Sequence, residues 1–513
     1  MIEFKQVYIN QDPMQVSRNW KVVFIFVMLS GGHHPLCLNG ETLVEPLNSG
    51  TFQGWYKPCD TMINDLMDFL PGYMKDKQIP GCAISLIYDH KIAWSEGFGY
   101  QNTITRKPVE RETVFEVASN SKIVTACVAL LLVEQGKLAL DTPLNRYLTE
   151  PWLPDSEYRD VITLRHLLSH SSGLGHNNMN RKILFPPGTR YHYSNLGFTY
   201  LQQVIEQIYG RPLEQVASAL VFEPMGMPNT SFTNKKSLHS KLANGHVPGS
   251  YLLGLSGTLI LVSLLLLWVP GILIFRFTKK RWLPTKRMLI HGLLLTVILW
   301  LVITFTFFGI VGWLKYAWLI VIYGMAFLSL SMLLFLAAKA IFHRLAFQIN
   351  KRIRIFLFVW VVVAASGMVA LTKSIHNIPV PKWPDIRSMA PASLRTTAPD
   401  MASFLREISE LGHADVSVCK QMLDPQVRLH PEISWGLGAG IFHSPQGDAF
   451  WQWGQNVDFQ SLVILWPEKG SGLVVLTNSE WGQPDVAIEI AQKALGLNLE
   501  SVIRASHLEF RGE

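Results

Sequence analysis

Two rhythms of apolar and polar residues run through this chain, and between them lies a stretch with neither. Short apolar or alternating runs bounded by turn residues predict strands at 81–88 and 91–100 around Asp89-His90. Two further hairpins are predicted, 434–443 with 449–454 around Ser444–Gly447, and 460–466 with 472–477 around Lys469-Gly470. Helical spacing predicts helices at 61–70, from Ile123 to a stop near Gly136, over 164–169, from Leu196 to a stop at Gly210, over 399–411 with proline at its first position, and over 484–495. Ser194 or Asn195 would cap the helix that begins at Leu196.

From Tyr251 the pattern changes. Four almost wholly apolar segments, at about 251–275, 288–314, 316–338 and 355–371, each come near the ~20 residues that a spanning helix needs. Residues 251–372 hold 12 Lys and Arg and no Asp or Glu. The cations gather between the first and second segments (Arg276 to Arg287) and before the last (Lys339 to Arg354), with only Lys315 between the second and third. Excess positive charge marks cytoplasmic loops, so residues 250 and 373 are both expected on the outer side. No acidic residue lies in the spans, which leaves no evident ion or proton path and makes a passive anchor the simplest role.

Composition agrees with this division. A hydrophobic content of 49% and a mean hydropathy of +0.21 are high for a soluble protein. The net charge of +7 comes from the apolar region, because the remaining 33 basic and 38 acidic residues give −5. Nucleic acid is therefore not an expected partner. At the N-terminus Lys5, Arg18 and Lys21 precede the apolar run 22–29, which suits an export signal over residues 1–37; an interfacial or buried segment is the alternative. The five cysteines form no C-x-x-C pair, and a bond between Cys59 and Cys82 is conceivable outside the cytoplasm.

The chemistry centres on Phe115 to Lys122 (FEVASNSK). If the following apolar run is a helix, Ser119 lies in its first turn and Lys122, three residues on, shares its face. An amine beside a hydroxyl at a helix N-terminus can make a nucleophile. A second S-x-x-K, Ser417 to Lys420, has little apolar sequence behind it and reads as a surface coincidence. His166 and His170 are spaced as zinc ligands can be, but packing or hydrogen bonding explains them without a missing third ligand. No metal or cofactor is called for. Taken alone, Tyr193 reads as a packing aromatic before its helix and Asn195 as a cap.

In their order, these pieces resemble the serine beta-lactamase-like family, which includes class C beta-lactamases, low-molecular-weight penicillin-binding proteins, D-stereospecific peptidases and related esterases. The resemblance rests on Gln78–Cys82, Gly97–Tyr100, Phe115–Lys122, LRHLLSHSSGL at 164–174, Tyr193-Ser194-Asn195 and Glu223–Met227. It resumes over 390–405, at Gly436–Gly438 and over 473–478. It implies an α+β fold in which a large antiparallel sheet is flanked by helices, with a helical region beside it. The hydrolase domain would be discontinuous, 60–248 and 373–500, interrupted by the transmembrane insertion 251–372. By position the resemblance makes Ser119 the nucleophile, Lys122 its activating partner and Tyr193 the base. Asn195, Gln452, Gly454 and Gln455 would bind substrate, with the N–H groups of Ser119 and Gln455 forming the oxyanion hole. A tyrosine with an ordinary pKa of about 10 needs a neighbouring cation for that role, and Lys122 is the obvious supplier.

Two departures shape the functional expectation. Gln452 stands where relatives place lysine or histidine, so it can offer hydrogen bonds but no charge, and Asp458 adds an acid near the cleft. Hydrolysis of a neutral ester or amide, of esterase or peptidase type and envelope-related, is thereby expected over efficient beta-lactam turnover. The short connectors would hold the domain at the outer membrane face, with a small-molecule, peptide or ester substrate and the lipid bilayer as partners. The alternative is a sensor or binding protein with slow or no turnover. A transporter with an extracytoplasmic lid lacks polar residues in the spans to support it.

Overall fold

The computed structural model describes residues 58–176, 181–247, 378–379, 389–411, 418–456, 458–479 and 485–511. All belong to the unit Gly50–Glu513; the separate unit Met1–Ser49, with the expected export signal, lies outside the described residues, as do the four apolar segments of 251–372. Among the described residues no helix is long and apolar enough to cross a membrane.

A nine-stranded antiparallel sheet is built from both ends of the chain. Its order is β3-β2-β1-β13-β12-β11-β10-β9-β8. The strands are β1 (Gly81–Tyr88), β2 (Lys91–Asn102), β3 (Lys107–Pro108), β8 (Val427–His430), β9 (Ile433–Trp435), β10 (Gly440–Ser444), β11 (Gly447–Gln455), β12 (Gln460–Trp466) and β13 (Ser471–Thr477). Asp89 and His90 both take left-handed φ angles, of 51° and 57°, as a tight β1–β2 hairpin turn requires.

The central strands are apolar without clear alternation because both faces of the sheet are covered. Leu462, Ile464, Trp466, Leu473 and Val475 point to one face, where they meet the helices α1 (Cys59–Asp76) and α8 (Val486–Leu495). Val463, Leu465, Val474 and Leu476 point to the other, into a core shared with α2 (Ser121–Glu134), α4 (Asn195–Tyr209) and α6 (Ala398–Leu411). Helix α2 is buried almost all round, which explains its unbroken apolar run. Helix α9 (Glu500–Arg511) follows α8 and was not anticipated from the sequence.

One expected strand divides. The run 434–443 becomes β9 and β10, reversed at Gly436–Ala439, where Gly438 has φ 98° and donates its N–H to Leu168 O at 3.0 Å. A Cβ at Gly438 would lie 2.3 Å from Ala126 Cβ, so this turn is pressed onto α2. Cys59 and Cys82 are free thiols, which corrects the conceivable disulfide between them.

Two small pairings join the halves of the chain. Phe115–Glu116 (β4) pairs with Arg395–Thr396 (β7), reinforced by a 2.9 Å ion pair between Arg395 and Glu116. His246–Val247 (β5) pairs antiparallel with Ile378–Pro379 (β6), Val247 opposite Ile378. The described chain thus leaves and re-enters the domain at adjacent points on either side of the apolar region.

Candidate active site

The turn before α2 is held from several sides. Val117 N–H donates to Leu394 O at 3.0 Å, Ser121 Oγ donates to Ala118 O at 2.6 Å, and Ser121 Oγ in turn accepts from Leu394 N–H at 2.9 Å. Ala118 has φ 44°, an unfavourable angle for an alanine that survives only where its surroundings impose it. A single 3₁₀ turn, Ala118–Asn120, then leads into α2, so Ser119 stands at the helix entrance.

Lys122 Nζ donates to Ser119 Oγ at 2.8 Å and to Pro391 O at 3.0 Å. Its side chain is completely buried, and Nζ lies 4.7 Å from the centre of the Tyr193 ring and 5.9 Å from that of Phe198. The side chains of Ser119, Lys122 and Tyr193 therefore converge. The carbonyl of Pro391 carried no sequence signal, because a backbone acceptor has no identity of its own.

Tyr193 is placed by the start of α4. Ser194 is the cap: its Oγ accepts from Gly197 N–H and donates to Gly175 O, both at 2.9 Å. His170, fully buried, accepts the Ser194 N–H on Nδ1 at 3.1 Å and packs its ring 4.3 Å from the ring of Tyr193. Burial, with Lys122 nearby, holds His170 well below the usual imidazole range. The same causes push His176 down to about 4. Both rings are thus neutral at pH 7, and Lys122 is the side chain placed to bring positive charge to Tyr193. The SHSSGL run signalled His170, but not its contact with the tyrosine.

His166 also serves the backbone, accepting Thr163 N–H on Nδ1 at 3.2 Å in a capping box. Among the described residues, no three His, Cys, Asp or Glu side chains are grouped to hold a metal. Asn195, the first residue of α4, is half-buried and its Nδ2 lies 3.1 Å from His176 Nε2. Of the second S-x-x-K, Lys420 is exposed on a short helix, Val418–Met422, and Ser417 lies outside the described residues.

The third wall is β11. Its pairing with β10 runs only from Gly447 to Trp451, and past that point the strand runs beside the Ala118–Asn120 turn. A Cβ at Gly454 would lie 2.3 Å from Val117 O, 2.6 Å from Ser461 Oγ and 3.1 Å from Ser119 N. Only glycine lets the strand approach so closely. Gln455 ends the strand. Gln452 is fully buried and donates Nε2–H to Trp453 O at 2.9 Å, so part of its hydrogen-bonding capacity is spent inside the protein.

Asp458 differs from expectation. It sits against the backbone of Gly245, and burial with Glu116 nearby pushes its carboxyl up to about 7. The full negative charge expected at neutral pH is correspondingly reduced.

Residues 66–256 match the family model described as Beta-lactamase. The chain is similar to Esterase EstB of Burkholderia gladioli, 29% identical over 195 residues, covering 31% of this chain and 49% of the relative. It is also similar to Protein flp of Staphylococcus aureus (strain N315), 25% identical over 186 residues, covering 32% of this chain and 37% of the relative. The chain thus spans half the length or less of these curated relatives. Among solved structures it resembles the octameric penicillin-binding protein homologue from Pyrococcus abyssi, with TM-score 0.54, 18% identity, and coverage of 85% of this chain and 78% of the other. D-alanine carboxypeptidase AmpC from Burkholderia cenocepacia gives TM-score 0.52 at 15% identity, covering 86% and 99%. The fold is therefore beta-lactamase-like.

Proposed function

We propose that this chain, with its beta-lactamase-like fold, is a membrane-anchored serine hydrolase acting on a neutral ester or amide at the outer face of the bilayer. The observation that carries the chemistry is the 2.8 Å contact between Lys122 Nζ and Ser119 Oγ at a helix entrance, with Tyr193 stacked beside the amine. In this reading Ser119 Oγ loses its proton to the Lys122–Tyr193 pair and attacks the substrate carbonyl. The oxyanion is held by the N–H groups of Ser119 and Gln455, the leaving group takes the proton from Tyr193, and water then cleaves the acyl-enzyme by the reverse path.

Gln452, which supplies no cation for a substrate carboxylate, supports a neutral substrate, and the similarity to an esterase supports the same class. The anchor rests on the apolar segments and basic loops of 251–372, and the outer location on their charge asymmetry. The adjacency of Val247 and Ile378 supports one domain closed across that insertion.

The test is labelling with a fluorophosphonate probe, which acylation-competent serines take up. Wild type should label and turn over short acyl esters, whereas Ser119→Ala should do neither. Labelling that persists in the variant removes Ser119 from the reaction. Gln452 also favours a second reading, a sensor forming a stable adduct: a labelled but non-cycling enzyme would support it, and rapid product release would exclude it.

A further inference from the structure

The nucleophile turn is tied to the sheet by a relay with a fixed direction. Ser461, on β12 directly opposite Gly454, donates Oγ–H to Val117 O at 2.9 Å and accepts from Asn120 Nδ2 at 2.7 Å. A carbonyl oxygen only accepts, so the single Ser461 proton must go to Val117. The partner on the other side must then be a donor, which assigns the Asn120 amide with Nδ2 toward Ser461. Both side chains are completely buried.

Position gives this relay its meaning. Val117 O also accepts Asn120 N–H at 3.0 Å, closing the turn that contains Ser119, so one carbonyl receives both the turn's own bond and the bond from the sheet. The turn carries the unfavourable φ of Ala118, and Gly454 approaches Val117 O and Ser461 Oγ of the relay together with Ser119 N. An N–H at a helix entrance has no partner within the helix, and its direction is set by the turn that presents it. The relay thus ties the turn that presents the Ser119 N–H to the strands beside Gly454.

We infer that Asn120 and Ser461 are positioning residues for the oxyanion donors, locking Ser119 N–H and the Gln455 end of β11 into the convergent geometry that a tetrahedral intermediate needs. This rests on the hydrolase reading above. Neither side chain touches substrate; they act through Val117 and Ser119.

The full-length protein tests it with a p-nitrophenyl acyl ester and a boronic acid that forms a tetrahedral adduct with the serine. Ser461→Ala and Asn120→Leu should each lower kcat by roughly 10- to 100-fold, short of the 10²–10³ expected from deleting a donor outright. KM should stay within about threefold, and boronate affinity should fall by a factor similar to that of kcat/KM. Ser461→Thr, which keeps the hydroxyl, should restore both, and Asn120→Ser gives a smaller perturbation should the leucine variant fail to fold. Variants that keep kcat within twofold, or lose kcat without weaker boronate binding, overturn the inference while leaving the hydrolase intact. A wild type that neither labels nor turns over overturns the hydrolase reading and this inference with it.

Discussion

At the scale of single residues, Lys122 and Tyr193 have separable parts in the proposed reaction. Lys122 Nζ bonds the serine directly and is shared with Pro391 O, whereas Tyr193 meets the amine through its ring in the observed geometry. Lys122→Met keeps the length and burial of the side chain while removing the donor, and should lower kcat/KM by ~10³-fold or more, read by ester hydrolysis on folded protein. Tyr193→Phe keeps the packing against His170 and should cost ~10²–10⁴ in kcat with little change in KM. A Tyr193→Phe variant of near-normal kcat would take the phenol out of proton transfer. The S-x-x-K spacing and the Tyr193–Asn195 loop were legible in the sequence because side-chain identity carries them. Pro391, Asn120 and Ser461 were not: one acts through a carbonyl and the other two through a contact made across 341 positions of chain.

At the scale of elements, β11 shows how close approach substitutes for side-chain chemistry. The strand can reach the turn that carries Ser119 only because Gly454 has no Cβ. Gly454→Ala should therefore push the turn and strand apart and lower kcat by ~10²-fold or more, with far-UV circular dichroism unchanged. Activity within a few-fold of wild type would show that the strand yields without disturbing the donors. Most helices were legible, since caps and stops such as Ser194 and Gly210 are local devices. The division of 434–443 into β9 and β10 was not, because the reversal at Gly438 depends on Leu168 and Ala126, far away in sequence.

At the scale of the whole molecule, acid should be destabilising. His170, His176 and His246 are all depressed by burial, the last two to about 4. An unfolded chain binds those protons below its ordinary value near 6.5, so the stability they contribute is present above pH 6.5 and lost as pH falls toward 4. Asp458 works the other way. Its raised value of about 7 contributes stability that is complete below pH 3.8 and is lost as pH rises through 7. Burial lowers His166 and His192 as well and raises Glu134 and Asp400, which leaves five depressed histidines against three raised carboxyls among the described residues, so Tm should rise by roughly 5 °C or more between pH 4 and 6.5. Asp458→Asn should steepen the rise between about pH 4 and 7 by removing this opposing decline; equal slopes in both proteins would mean that this carboxyl does not titrate there. Because Val247 faces Ile378, replacing 248–377 by a short turn should leave a folded domain that still labels at Ser119. Loss of labelling in a folded product would make the insertion part of the catalytic unit.

The sequence by itself determined the elements with strong local periodicity, the S-x-x-K spacing of Ser119 and Lys122 and the charge asymmetry of the apolar region, because each is written within a few residues or a simple count. Only the tertiary structure decided that the Lys122 amine is clasped by Pro391 from the far side of the apolar region, and that Gly454 and Ser461 close on the turn that carries Ser119 and Asn120. Such contacts depend on register and close packing between segments distant in sequence, and no local pattern encodes them.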